Sequence, residues 1–126
     1  TLHPWFVTGF ADGEASFTFS RSSRQISLYF ALKVPVADRP ILEAVQGFFG
    51  GMGRIYSNLY RVTRTEELKQ VVDHFDRFPL QSQKREIYKV WRDMVALKQM
   101  FRGRNREALD ALAIELSARK AQGANT

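Results

Sequence analysis

The chain has 126 residues, 44% of them hydrophobic, which suits one domain, 1–126, with a real core. It has no cysteine and only two histidines, His3 and His74, far apart, which excludes disulfides, thiolate nucleophiles and Cys/His metal centres. Lys and Arg total 19 against 13 acids, a net charge of +6, which points to an anionic partner; nucleic acid is the commonest one and a merely basic surface the plain alternative.

No apolar run approaches the ~20 residues of a membrane span, so no membrane partner is expected. No secretory signal is visible, and the chain begins at Thr1 rather than Met, as after removal of an N-terminal extension. The expected location is intracellular, either an organelle such as the mitochondrion or the bacterial cytoplasm.

Pro4 suits the first turn of a helix, and the pattern is helical from Trp5 to Gly13. Phe6, Gly9, Phe10 and Gly13 fall at i, i+3, i+4 and i+7 on one face. The period then changes to two. Phe17 and Phe19 alternate with Thr18 and Ser20 in a strand, "RSSR" is a polar turn, and Ile26, Leu28, Phe30 and Leu32 mark a long second strand. Asp38 is placed as an N-cap with Pro40 in the first turn, and Ile41, Leu42, Val45, Phe48 and Phe49 make a helical stripe stopped at Gly50–Gly51. "GRIYSNLYRVTR" reads as a second hairpin turning near Ser57–Asn58. Thr65 is placed as the cap of a helix carrying Leu68, Val71, Val72 and Phe75, which Pro79 ends. "SQKREIYKVWRDMVALKQMF" and "NREALDALAIELSARK" are two further helices, and "AQGANT" is a frayed tail. The class is α+β, with the order αββαββα plus C-terminal helices.

Two hairpins in one antiparallel sheet, with helices on one side, leave the other side free. That side carries Thr18, Ser20, Gln25, Ser27, Tyr29, Lys33, Arg61 and Thr63, with basic and hydrogen-bonding groups and no acid. A solvated face normally mixes both signs, so this one reads as a saddle that lies in a DNA major groove. Ser22, Arg24, Arg54, Tyr56 and Asn58, on the strand ends and turns, join the expected DNA-binding set.

"PWFVTGFADGEASF" places Asp12 and Glu14 where an apolar helix gives way to a strand. Gly9 and Gly13, four apart, admit close approach of a partner helix; the alternative is packing inside the chain's own domain. Paired with its copy, the helix brings two Glu14 carboxylates together. They repel, a divalent cation relieves this, and oxygen-only ligands suit Mg²⁺, with Mn²⁺ or Ca²⁺ as substitutes for binding. For Asp12, a hydrogen bond to nearby backbone at the helix–strand junction is the plain alternative.

"VTGFADGEA", from Val7 to Ala15, resembles the nonapeptide signature of the LAGLIDADG homing endonucleases, whose element order is also αββαββα. "ILEAVQGFFGGMGRIY", "YRVTRTEELKQVVDHFDRFPL" and "QSQK" resemble members encoded in group I introns, and the likeness runs from about Leu2 to Trp91. The resemblance implies a sequence-specific double-stranded DNA endonuclease. It implies that Glu14 holds the catalytic metal with the Gly13 carbonyl, that Asp12 is structural, and that Lys84 stands near the scissile phosphate. It also implies that Phe6, Gly9, Phe10 and Gly13 form the dimer interface of a single-motif homodimer. Ala15 replaces the motif's last glycine, Thr8 stands where alanine is usual, and Val34 occupies a place where many members carry a polar side chain that organises water. The alternative function is a binding protein without efficient cleavage, such as a maturase whose partner is intron RNA.

Overall fold

The structure is a computed structural model, and it describes residues 1–23, 25–101 and 106–124. Helix α1, Pro4–Glu14, starts where expected. The His3 ring caps it, Nδ1 accepting from the Trp5 N–H at 3.2 Å. The chain then passes directly into strands β1, Ala15–Ser22, and β2, Gln25–Lys33. Their turn is tighter than the "RSSR" reading: Arg21 and Ser22 belong to β1, Ser22 pairs with Gln25, and Ser23 takes a left-handed φ of 57°.

A 3₁₀ turn, Val36–Asp38, leads into α2, Arg39–Phe48. Asp38 stands at the N-cap of this helix, as expected, but its side chain makes no cap bond; its own N–H closes the 3₁₀ turn on the Pro35 carbonyl at 2.8 Å. Strands β3, Arg54–Tyr56, and β4, Leu59–Val62, form the second hairpin around Ser57 and Asn58. Gly53 is required at its entry. Its φ is +77°, and a Cβ there would lie 2.8 Å from the Arg61 carbonyl oxygen. Helix α3, Thr65–Arg77, begins one residue earlier than the Thr65 cap implies. Arg64 is the boundary, its carbonyl receiving the Leu68 N–H at 2.8 Å, and Thr65 is already helical.

Helices α4, Lys84–Phe101, and α5, Arg106–Ala124, complete the chain. The expected frayed tail is therefore helical as far as Ala124, because α5 packs along α4 and its side chains reach β1. No helix among the described residues is long and apolar enough to cross a membrane.

The four strands form one antiparallel sheet in the order β1-β2-β4-β3. The register places Ala15, Phe17, Phe19, Ile26, Leu28, Phe30, Leu32, Ile55, Tyr60 and Val62 on the face that meets the helices. Phe17 is central. Its ring lies 5.2–5.3 Å from those of Phe30, Phe75, Tyr88 and Trp91, with crossed planes that suit aromatic quadrupoles. The Trp91 Nε1–H donates to the Thr18 carbonyl at 3.0 Å, so the largest core side chain also ties α4 to the sheet. The sheet is thereby fixed from one side only, and the opposite side stays open.

Candidate functional site

Helix α1 buries one face and exposes another. Val7, Thr8 and Ala11 enter the core, whereas Phe6 is 48% exposed and Gly9 and Gly13 are exposed. Phe10 is half-buried and stacks on Phe6. A Cβ built on Gly9 or Gly13 meets no atom within 4 Å. Packing within the chain therefore does not explain these glycines, each of which weakens a helix by about 1 kcal/mol relative to Ala.

Thr8 is buried and holds α1 to α3. Its hydroxyl has one hydrogen, which goes to the Phe78 carbonyl at 2.7 Å. The oxygen must then accept from the Nε2–H of His74 at 3.0 Å, and this fixes the tautomer. The His74 ring sits among Phe48, Phe49, Phe75 and Phe78 at 4.7–5.6 Å. Burial lowers its pKa from 6.5 to about 4. The unfolded chain therefore binds a proton below 6.5 that the folded chain refuses until about 4. Stability is lost as pH falls through that window, by up to about 3 kcal/mol. Thermal unfolding of wild type and His74→Gln between pH 7 and 4 checks this: the difference between them should change by that amount, and a flat difference refutes it. Sequence reading gave Thr8 only its small size; the lock depends on contacts 66 and 70 residues away.

Asp12 also acts at long range, rather than on the junction backbone beside it. Its carboxylate accepts from the Gln81 N–H at 2.9 Å, the Ser82 N–H at 3.0 Å and the Ser82 hydroxyl at 2.7 Å. Burial pushes the carboxyl up, but the Ser82 hydroxyl, the two N–H groups and Lys84 together hold it below its usual range. Asp12 thus staples the end of α1 to the start of α4 and brings in Lys84. The Lys84 ammonium donates to the Ala11 carbonyl at 3.2 Å. Burial lowers its pKa, and Asp12 and Glu14 partly restore it. Glu14 is exposed at the last turn of α1 and borders an open hollow of about 390 Å³ with Phe10, Val34, Pro35 and Ile41. Val34 is 5% exposed, its backbone held by Asn58.

Glu14 and the Gly13 carbonyl are hard donors suited to Mg²⁺, whereas Asp12 already receives hydrogen bonds on both oxygens. No group of three or more His, Asp or Glu that could hold an ion occurs among the described residues.

The register puts Thr18, Ser20, Ser22, Gln25, Ser27, Tyr29, Lys33, Arg54, Tyr56 and Arg61 on the open sheet face, and Thr63 follows two residues after Arg61. Arg24 lies outside the described residues. Asn58 departs from the set, because its side-chain amide donates to the Val34 carbonyl and is committed to the turn. Every one of the 13 acids lies in or beside a helix, and none in a strand. Arg54 and Arg61 pair directly across β3 and β4, an unfavourable like-charge pair in the isolated chain. The Arg61 guanidinium lies 4.0 Å over the Tyr29 ring, which restricts its orientation.

The family model described as "LAGLIDADG endonuclease" matches residues 7–95, from α1 through most of α4. The chain belongs to the LAGLIDADG endonuclease family. Among relatives of the LAGLIDADG chain, an uncharacterized 50.9 kDa protein in ND4 intron 1 of Podospora anserina is 32% identical over 111 residues, 77% of this chain and 24% of that protein. The probable intron-encoded endonuclease 3 of Neurospora crassa is 28% identical over 109 residues, covering 76% and 20%. The chain thus spans a quarter or less of these relatives' length. The LAGLIDADG meganuclease I-AabMI, bound to uncleaved DNA, superposes with a TM-score of 0.83 at 29% identity, over 89% of this chain and 44% of that one. The homing endonuclease I-TnaI gives 0.83 at 25% identity over 99% and 98%.

Proposed function

We propose that residues 1–126 form one LAGLIDADG endonuclease domain that cuts double-stranded DNA at a long, near-palindromic site with Mg²⁺, as a homodimer. One observation carries the reading: exposed Glu14 and the stapled Lys84 lie at the end of α1, where an acid-free sheet face begins. DNA-bound family members and intron-encoded relatives support it.

The exposed face of α1 takes the same face of a second copy, and each chain brings one Glu14. Glu14 and the Gly13 carbonyl of each copy would hold Mg²⁺, which would supply Lewis acidity and lower the pKa of water. Lys84, steadied by the Ala11 carbonyl, offers its other N–H donors to the phosphate as charge develops in the transition state. The first hairpin, whose strand β1 has 8 residues, spans about 26 Å, or roughly eight base pairs, at ~3.3 Å per residue. Two copies then contact about 16–22 base pairs related by the protein's two-fold axis. The setting is intracellular DNA, organellar or bacterial.

Val34 favours a second reading. Its apolar side chain borders the hollow beside Glu14, where a polar group would organise water. A protein that binds intron RNA without efficient cleavage follows from that placement. Selection of cleaved duplexes from a random library in Mg²⁺ tests the first reading; intron RNA binding without any cut duplex supports the second.

The basic residues divide by role. Arg61→Ala or Lys33→Ala should cost about 1–3 kcal/mol for the preferred base and relax preference over a few base pairs. Lys84→Ala should slow cleavage at all sites without changing their ranking, because phosphate contacts carry no sequence. Cleavage profiles of every single-base variant of the selected site separate them. A changed ranking in Lys84→Ala, with uniform slowing in Arg61→Ala, overturns the assignment.

A further inference from the structure

We propose that the cleft along the outer edge of β1 seats the DNA backbone beside the cleavage point, and that Lys120 of α5 binds a phosphate there. The proposal rests on the nuclease reading above. The cleft measures about 550 Å³ and is lined by Ser16, Ser82, Gln83, Lys84, Ile87 and Lys120. Its polar lining is two ammoniums, two hydroxyls and an amide, and no carboxylate lines it. Asp12 lies behind Ser82 and is occupied by the N–H groups and hydroxyl described above, and it and Glu14 both act on Lys84 from outside the lining.

β1 is an edge strand, so the cleft opens directly beside the free sheet face. α5 is fixed across this edge at two points. Arg21 and Asp110 form an ion pair at 3.0 Å near its start. Near its end, the Lys120 ammonium donates to the Thr18 hydroxyl at 3.0 Å. Thr18 belongs to the sheet face, so Lys120 stands at the corner where that face meets the cleft. The neighbouring Arg119 turns instead to Glu115 on its own helix.

An ammonium has three donors, and the bonds described use one on Lys84 and one on Lys120. Asp12 and Glu14 partly offset the charge of Lys84, whereas no carboxylate lines the cleft beside Lys120, so an anion entering there would meet two ammoniums. A duplex lying on the sheet, with a phosphate at Lys84, carries its backbone past Lys120. A phosphodiester is therefore the ligand that fits, and the contact carries no base information.

The test uses the full chain and the selected duplex, with Lys120→Gln and Lys120→Arg. Lys120 is exposed and its bond to Thr18 is a surface contact, so Lys120→Arg should keep the wild-type unfolding midpoint and Lys120→Gln should lower it only slightly. Lys120→Gln should bind roughly 5–10-fold more weakly per copy near 0.1 M salt, with a salt slope smaller by about one per copy. Lys120→Arg should restore both, and neither should alter base preference. Wild-type affinity and slope in Lys120→Gln would overturn the proposal, as would a changed base preference. If Lys120→Gln is silent while Lys84→Ala still slows cleavage, the cleft assignment fails and the nuclease reading stands. If the wild-type chain shows no salt-dependent duplex binding, the nuclease reading fails and takes the cleft with it.

Discussion

Glu14→Gln should abolish cleavage while leaving duplex affinity close to wild type. Glu14 is exposed, so a shape-conserving amide should change folding by no more than about 0.5 kcal/mol. What it removes, on the proposed reading, is the charge that would hold a divalent cation. Asp12 offers no replacement, because its oxygens already accept from Gln81 and Ser82. Loss of an outer partner of a metal ligand costs about 10–100-fold, so loss of the ligand itself should exceed about 100-fold. The sheet face lies on separate elements and is untouched. The check is single-turnover cleavage in Mg²⁺ alongside binding in Ca²⁺. Near wild-type cleavage would sink the metal role; lost binding would mean that Glu14 serves the fold or the DNA contact.

Gly9→Val should break self-association without harming the chain that carries it. Inside the chain the new side chain meets nothing within 4 Å, and Val is a slightly better helix former than Gly. The isolated fold should therefore be as stable as before, or more so by a few tenths of a kcal/mol. At a contact between two such helices, overpacking costs about 1–3 kcal/mol per site, and both copies carry the change. A total of about 2–6 kcal/mol weakens association at least about 30-fold. Cleavage should fall with it, because on the proposed reading the two Glu14 groups would no longer meet. Gly47 in α2 is exposed with equally open space around it, so Gly47→Val is the control and should leave association alone. Sedimentation showing an intact Gly9→Val dimer would remove the glycines from the interface.

The sequence by itself determined the element order, the two hairpins and the split of the sheet into an apolar and an acid-free face. These are local matters. Period two forces Phe17, Phe30 and Val62 to one side and Thr18, Tyr29 and Arg61 to the other, wherever the strands end. The motif from Val7 to Ala15 placed Glu14 at a helix end for the same reason. The caps were less legible: Asp38 does stand at the N-cap of α2 but makes no side-chain cap bond, and α3 begins at Thr65 itself, with Arg64 at the N-cap. Only the tertiary structure decided what Asp12, Thr8 and Lys120 touch. Their partners, Gln81 and Ser82, His74 and Phe78, and Thr18, lie 66–102 residues away along the chain. No periodicity encodes such distances, since they follow from how α1, α3, α4 and α5 pack against one another and the sheet. The tail after Lys120 shows the same limit. Its composition favours fraying, yet it continues α5 as far as Ala124, a helix that packs along α4.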